Sequence, residues 1–312
     1  MSIQTASRST PLHQTRLLSA SSFVVFKRKL GSLCTICALL AAVPTTASAT
    51  AECRQQTTSI VRQPHIEVEL IVEPVSLDHA QSRVGILFKP DPGWHIYWKN
   101  PGDTGLAPTI EWQEGIQVGA LNWPAPETIQ LAHLVDQGYE GDTLLWSDYK
   151  MNDGKSVIFA NTKWLVCKDE CIPGSATLSA DISALSDADE QKARYLFESA
   201  KGTKSRPFPT MTADAEIDDG KLKLSVFATT PNIFKPKAGS DEKPHVEVFI
   251  ENLDLVEYGP PVNLNAVNNM LVWEQTLNDF KSSTPEEVRA LIVINHKDAY
   301  DVTIPIKVPS AI

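Results

Sequence analysis

The stretch HIEVELIVEPVSL (65–77) sets Ile66, Val68, Leu70 and Val72 against Glu67, Glu69 and Glu73. This alternation predicts a strand with one face buried and the other in water. SRVGILFKP (82–90) follows and stops at PDPGW, where Pro and Gly mark a turn. Short apolar runs at 109–113, 117–123, 143–150, 155–166 and 175–182 predict further strands. Many short strands separated by turn residues predict a β-sandwich. Six of the seven tryptophans fall between 94 and 164, so this half carries the heavier aromatic load.

The period then changes. In SALSDADEQKARYLFESAKG (183–202), Ala193, Leu196, Phe197 and Ala200 recur at helical spacing up to Gly202, and Ser186 or Asp187 can cap the helix. TKSRPFPTM (203–211) reads as a linker. Alternation returns in KLKLSVFA (221–228), HVEVFIENL (245–253), LVWEQTL (271–277), VRALIVIN (288–295) and YDVTIPIKV (300–308). A second, smaller sandwich is predicted there. The expected fold class is all-β, two β-sandwich domains (50–183 and 212–312) joined by a short helix and linker (184–211).

The N-terminus is of another kind. Residues 1–49 contain no acidic side chain and five basic ones, the last three directly before LGSLCTICALLAAV (30–43). That apolar run has the length of a signal-peptide core and is too short to span a bilayer. Ala47-Ser48-Ala49 supplies a cleavage signal, so 1–49 is predicted to be a signal peptide cut after Ala49. Its loss moves the formal net charge from −10 to −15. Such a surface repels nucleic acid and anionic lipid, and neither is an expected partner. No later segment reaches 18 consecutive apolar residues, so no membrane insertion of the mature chain is expected.

Export also changes the cysteine arithmetic. Cys34 and Cys37 leave with the signal, and Cys53, Cys167 and Cys171 remain. Outside the cytosol, neighbouring thiols tend to become disulfides. Three readings compete for the Cys167-Lys-Asp-Glu-Cys171 pair. As a structural clip it closes so short a loop that it contributes only about 2 kcal/mol, against more than about 4 for a long one. As a zinc site it lacks a second ligand pair, because His95, His133 and Cys53 would have to converge from afar. Copper(I) on the two thiolates is a further form of the metal reading. As a redox dithiol, one thiolate attacks a partner's disulfide and its neighbour resolves the mixed disulfide. Lys168 favours a thiolate while Asp169 and Glu170 oppose it. The net negative charge favours the disulfide and lowers the reduction potential, the direction expected of an electron donor.

Other residues are weighed against packing. Trp94, His95, Tyr97 and Trp98 either line a partner-docking groove or pack in the core, and the core is expected for an aromatic cluster. His95 is a candidate for tuning a nearby thiol. Asn100-Pro101-Gly102-Asp103 reads as a turn, Trp164 as packing under the cysteine loop, and Cys53 as a free or intermolecular thiol near a chain end.

GWHIYWKNPGDTGLAPTIEW (93–112), NWPAPE (122–127), GYEGDTLL (138–145) and WLVCKDECIPGSATL (164–178) together resemble the N-terminal periplasmic module of the DsbD/ScsB thiol:disulfide interchange proteins, nearest the ScsB-like branch. The resemblance spans 65–182 and implies immunoglobulin-like sandwiches. It also implies a protein-disulfide reductase module in the periplasm. Cys167 and Cys171 match the catalytic pair, with Cys167 expected to form the mixed disulfide. Tyr139 corresponds to the region of an aromatic cap, and Asp136 or Glu140 are candidates for handling protons. No cofactor is implied. The implied partners are oxidised periplasmic thioredoxin-fold proteins and a membrane-embedded electron donor. That donor is expected to be a separate protein, because the chain ends at 312 without the family's membrane and thioredoxin-like domains. The alternative is a non-catalytic partner-binding or copper-binding protein that uses the pair as a clip or ligand.

Overall fold

The computed structural model describes residues 58–73, 82–151, 154–235, 243–281 and 283–307. The expected signal peptide, Cys34, Cys37 and Cys53, and the tail of the first predicted strand at 74–77 lie outside them. Among the described residues no helix is long and apolar enough to cross a membrane.

The fold is all-β, two immunoglobulin-like sandwiches joined by a short helix. The first sandwich contains β1 (Ile60–Gln63), β2 (Ile66–Glu73), β3 (Ser82–Pro90), β4 (Ile96–Gly102), β5 (Thr109–Trp112) and β6 (Ile116–Val118). It continues through β7 (Glu127–Leu131), β8 (Leu134–Tyr139), β9 (Thr143–Met151), β10 (Val157–Cys167) and β11 (Cys171–Asp181). These strands form sheets in the orders β1-β2-β3-β9-β6, β11-β10-β5 and β4-β8-β7. The apolar residues expected on the inner face of β2 are buried, packed with Phe88, Trp98, Trp164 and Leu178.

Helix α1 (Asp187–Thr203) starts where the sequence indicates. Ser186 accepts from the Asp189 amide and Asp189 returns the bond to the Ser186 amide, a closed capping box. The helix buries Ala193 and Phe197 against Ile71, Leu87, Leu144 and Trp146, on the outer face of β2, β3 and β9. This cover corrects one expectation. Glu69 and Glu73, predicted to face water, are buried, and each meets a cation: Lys192 and Lys89 at Glu69, Arg83 at Glu73. A carboxylate under a helix needs such a partner.

The second sandwich contains β12 (Arg206–Pro207), β13 (Met211–Asp218), β14 (Lys221–Ala228), β15 (Val246–Ile250), β16 (Asn263–Val267), β17 (Met270–Thr276), β18 (Glu287–Ile294) and β19 (Asp298–Lys307). The order is β15-β18-β19-β13-β14-β17-β16, with β12 beside β19. The core here is Leu222, Leu224, Trp273, Ile292 and their neighbours.

The two sandwiches pack on each other through β4. Trp98 meets the ring of Phe249 edge-on at 6.0 Å. Asn100, read from sequence as a turn residue, lies within β4 and is fully buried. Its Nδ2 donates to the Ile250 carbonyl at 2.8 Å, and its Oδ1 accepts from the Tyr258 hydroxyl at 2.8 Å. Lys99 pairs with Glu251 beside it. Lys99 and Asn100 therefore join two cores, while Asp103 stays exposed at the bend after β4.

Candidate functional site

Strands β10 and β11 form one long hairpin, and Cys167 and Cys171 are its last register pair before the Lys168–Glu170 turn. Their Cα atoms are 4.2 Å apart and their sulfurs are bonded to each other. The hairpin thus presents a disulfide at its tip, with Lys168, Asp169 and Glu170 all exposed.

The two cysteines differ in environment. Cys167 is fully buried (0% exposed), and its backbone is clamped to His95 by two bonds of 2.9 Å, one in each direction. Cys171 is exposed. Sequence reasoning assigned the partner-facing role to Cys167, yet the structure buries that residue beneath the His95 segment and leaves Cys171 at the surface. The register decides this, because Cys167 ends a strand wedged against another chain segment and Cys171 begins the outer strand.

A chain of polar groups leads inward from Cys171. The Tyr97 hydroxyl lies 3.6 Å from Cys171 Sγ and 3.3 Å from Thr104 Oγ1. Thr104 donates to Asp136 twice, from Oγ1 at 2.6 Å and from its amide at 2.9 Å. His95 Nε2 stands 3.7 Å from Asp136 Oδ2, and the His95 ring meets the Tyr97 ring edge-on at 5.1 Å. Burial alone would push the Asp136 carboxyl up, but the pull of His95 and the Thr104 bonds outweighs it and holds the carboxyl below its ordinary 3.8. Burial pushes the Tyr97 phenol up to about 12, with Thr104 opposing and the nearby Asp136 charge assisting.

Two glycines fix this geometry. Gly102 has φ +93, and a Cβ there would lie 2.4 Å from the Val135 carbonyl oxygen. Gly105 has φ +73, and a Cβ would fall 2.1 Å from Tyr97 Cζ. Both positions need the left-handed backbone and the missing side chain. Asp103 then ties the loop to β8, its Oδ2 accepting from the Val135 amide at 2.7 Å.

The other predicted residues are dispersed. Trp164 is buried and lies over Gly174, its cross-strand partner, three residues before Cys167. Tyr139 is in the core, 5% exposed, with its hydroxyl given to the Pro124 carbonyl at 2.9 Å. The ring packs in the core of the first sandwich. Glu140 is exposed past the end of β8, where it lines a cleft with Leu196 and Thr203 of α1. His133, raised under the zinc reading, is exposed in the β7–β8 turn while His95 is buried. Tyr97 was weighed from sequence only as a docking-groove or core aromatic, not as a partner of the cysteines, and Thr104 was not predicted as a site residue. For Tyr97 a signal existed: it lies two positions after His95, hence on the same side of an extended segment. Thr104 carried none.

Residues 65–182 match the family described as thiol:disulfide interchange protein DsbD, N-terminal. Among solved structures, the crystal structure of the N-terminal periplasmic domain of ScsB from Proteus mirabilis is similar. It has TM-score 0.63 and 17% sequence identity, covering 80% of this chain and 98% of that one. At that identity the likeness concerns the fold. Among curated proteins none matches.

Proposed function

Because residues 65–182 of this chain match the DsbD N-terminal family, we propose that it is a periplasmic protein-disulfide reductase module. It takes an electron pair from a membrane-embedded reductase and passes it to oxidised thioredoxin-fold proteins. The observation that carries the reading is a disulfide at a hairpin tip with one exposed residue, Cys171, whose sulfur faces the hydroxyl of Tyr97 at 3.6 Å.

In the loading half-reaction a donor thiolate attacks Cys171 Sγ. The Cys171–Cys167 bond breaks and Cys167 leaves as a thiolate, which takes up a proton. The donor's second thiolate then attacks the donor sulfur of the mixed disulfide and frees Cys171 as a thiolate. The module has gained two electrons, and the donor has become a disulfide. Delivery runs the other way. The Cys171 thiolate attacks the acceptor's disulfide, and Cys167, giving up its proton, attacks Cys171 Sγ as a thiolate to close the ring. The acceptor's two sulfurs take up that proton and one from water and leave as a dithiol.

The polar chain gives the thiolate a donor. Asp136 is ionised, so it claims the single hydroxyl proton of Thr104. Thr104 can then only accept from Tyr97, so the single Tyr97 proton points either to Thr104 or to sulfur, and a thiolate at Cys171 draws it to sulfur. With its phenol pushed up to about 12, Tyr97 remains a donor at neutral pH. A hydrogen bond to the thiolate favours the nucleophilic form.

Mixing reduced chain with an oxidised thioredoxin-fold protein of higher reduction potential, then counting thiols on both by maleimide mass shift, tests the reading. Electron transfer is expected, and Cys171→Ser abolishes it. A partner that stays oxidised in the presence of the reduced chain overturns it in favour of a static clip.

A further inference from the structure

Three side chains that take no part in the disulfide site converge on the second sandwich. His245, directly before β15, and Glu247 within it lie on the same side of the extended chain. His296 comes to them from the turn between β18 and β19. His245 Nε2 is 3.3 Å and His296 Nδ1 is 3.6 Å from the same oxygen, Glu247 Oε2. The two imidazoles stack at 3.9 Å between centroids, inclined by 23°. One donor atom from each residue fits within a 4.8 Å span.

The scaffold under them is held in place. Asn295 and His296 take left-handed backbone, φ 53 and 55. Asn and His are among the residue types that adopt it most readily. Asn295 locks the turn onto His245, donating its amide to the His245 carbonyl at 2.7 Å and accepting the His245 amide on Oδ1 at 3.2 Å. The second carboxylate oxygen, Glu247 Oε1, accepts from the Thr128 hydroxyl at 3.4 Å, a contact from β7 of the first sandwich.

We propose that His245, Glu247 and His296 form a binding site for one divalent transition-metal ion of the zinc or copper(II) class. Two imidazole nitrogens and one carboxylate oxygen suit borderline ions, whereas calcium and magnesium require oxygen ligands throughout. Three protein ligands leave a further coordination position for water or for a group from a partner. Thr128 orients the ligating carboxylate from outside, the arrangement that tunes such sites. The site is independent of the thiol chemistry, because no cysteine contributes to it.

The test is zinc titration of the untagged, oxidised chain by calorimetry, with thermal unfolding followed alongside. The expected result is saturable one-to-one binding that raises the melting temperature and is reversed by a chelator. His245→Ala, Glu247→Gln and His296→Asn should each weaken binding by about tenfold or more. The asparagine keeps the left-handed turn, so it separates loss of a ligand from loss of the fold. The double variant Cys167→Ala/Cys171→Ala should bind as the parent does. Absence of saturable one-to-one binding overturns the proposal. So does unchanged affinity in the folded His296→Asn variant, or binding that disappears with the cysteines.

Discussion

Tyr97→Phe deletes one hydroxyl and keeps the ring in place. In the oxidised protein that hydroxyl lies 3.3 Å from Thr104 Oγ1 and 3.6 Å from Cys171 Sγ, while Thr104 keeps both of its bonds to Asp136. The fold should therefore lose about 1 kcal/mol or less. The reduced protein should respond more strongly, because the hydroxyl is then the donor facing a thiolate. Hydrogen bonds to charged groups contribute about 1.5–3 kcal/mol, and the 3.6 Å separation argues for the lower end. At 1.36 kcal/mol per pKa unit, the Cys171 thiol should rise by about one unit. Near neutral pH that cuts the thiolate fraction about tenfold. The more basic thiolate is more nucleophilic, with a Brønsted coefficient of about 0.4–0.5, so the net slowing should be about threefold. Iodoacetamide alkylation of the reduced protein across pH, read by mass in a Cys53→Ser background, measures both quantities. An alkylation profile that superimposes on the parent's, in a variant that is still folded, refutes the role given to Tyr97.

Asp136→Asn tests the inner end of the chain through pH. The Asp136 carboxyl is held below its ordinary 3.8 in the folded protein. A depressed acid supplies stability that is present above 3.8 and lost as pH falls through the folded value. The gap between parent and variant in urea unfolding should therefore be wide at neutral pH and narrow in acid. An equal gap at both pH values contradicts it. Gly174→Ala probes the platform beneath the disulfide. A Cβ there would lie 2.3 Å from Trp164 Cε2, so the indole must move, and overpacking of this kind costs about 1–3 kcal/mol. Urea unfolding and tryptophan fluorescence should both change, and parental stability would show that the indole has room to yield.

What the sequence revealed depended on whether the deciding interaction is local. Helix α1 was legible because its start is written within four residues, in the Ser186–Asp189 capping box, and its buried Ala193 and Phe197 follow helical spacing. Strand β2 was legible by alternation, but the burial of Glu69 and Glu73 was not, since the cations that cover them include Lys192, on a helix more than a hundred residues away. Strands β4 and β8 escaped for a related reason. Ile96, Tyr97 and Trp98 are buried on both faces, and Asp136, Gln137 and Gly138 are buried although none is apolar. Alternation is silent where both faces are covered.

The site followed the same rule. Cys167 and Cys171 are four positions apart, and the pair was plain. Tyr97 reaches it from 74 residues away, and Thr104 reaches Asp136 across 32. Asp136, Tyr139 and Glu140 are neighbours in sequence, yet they diverge. Asp136 joins the polar chain, Tyr139 enters the core, and Glu140 lies past the strand end beside α1. Adjacency along a strand places side chains on opposite faces, so proximity in sequence misleads there.

The account turns on a disulfide that opens reversibly through its exposed residue. In a Cys53→Ser background, Cys167→Ala and Cys171→Ala can each be incubated with an oxidised thioredoxin-fold protein, and the covalent complex quantified by mass. The account predicts a mixed disulfide with Cys167→Ala, carried on Cys171, and little or none with Cys171→Ala. Equal trapping by the two variants, trapping through Cys167 alone, or no complex with either would contradict it.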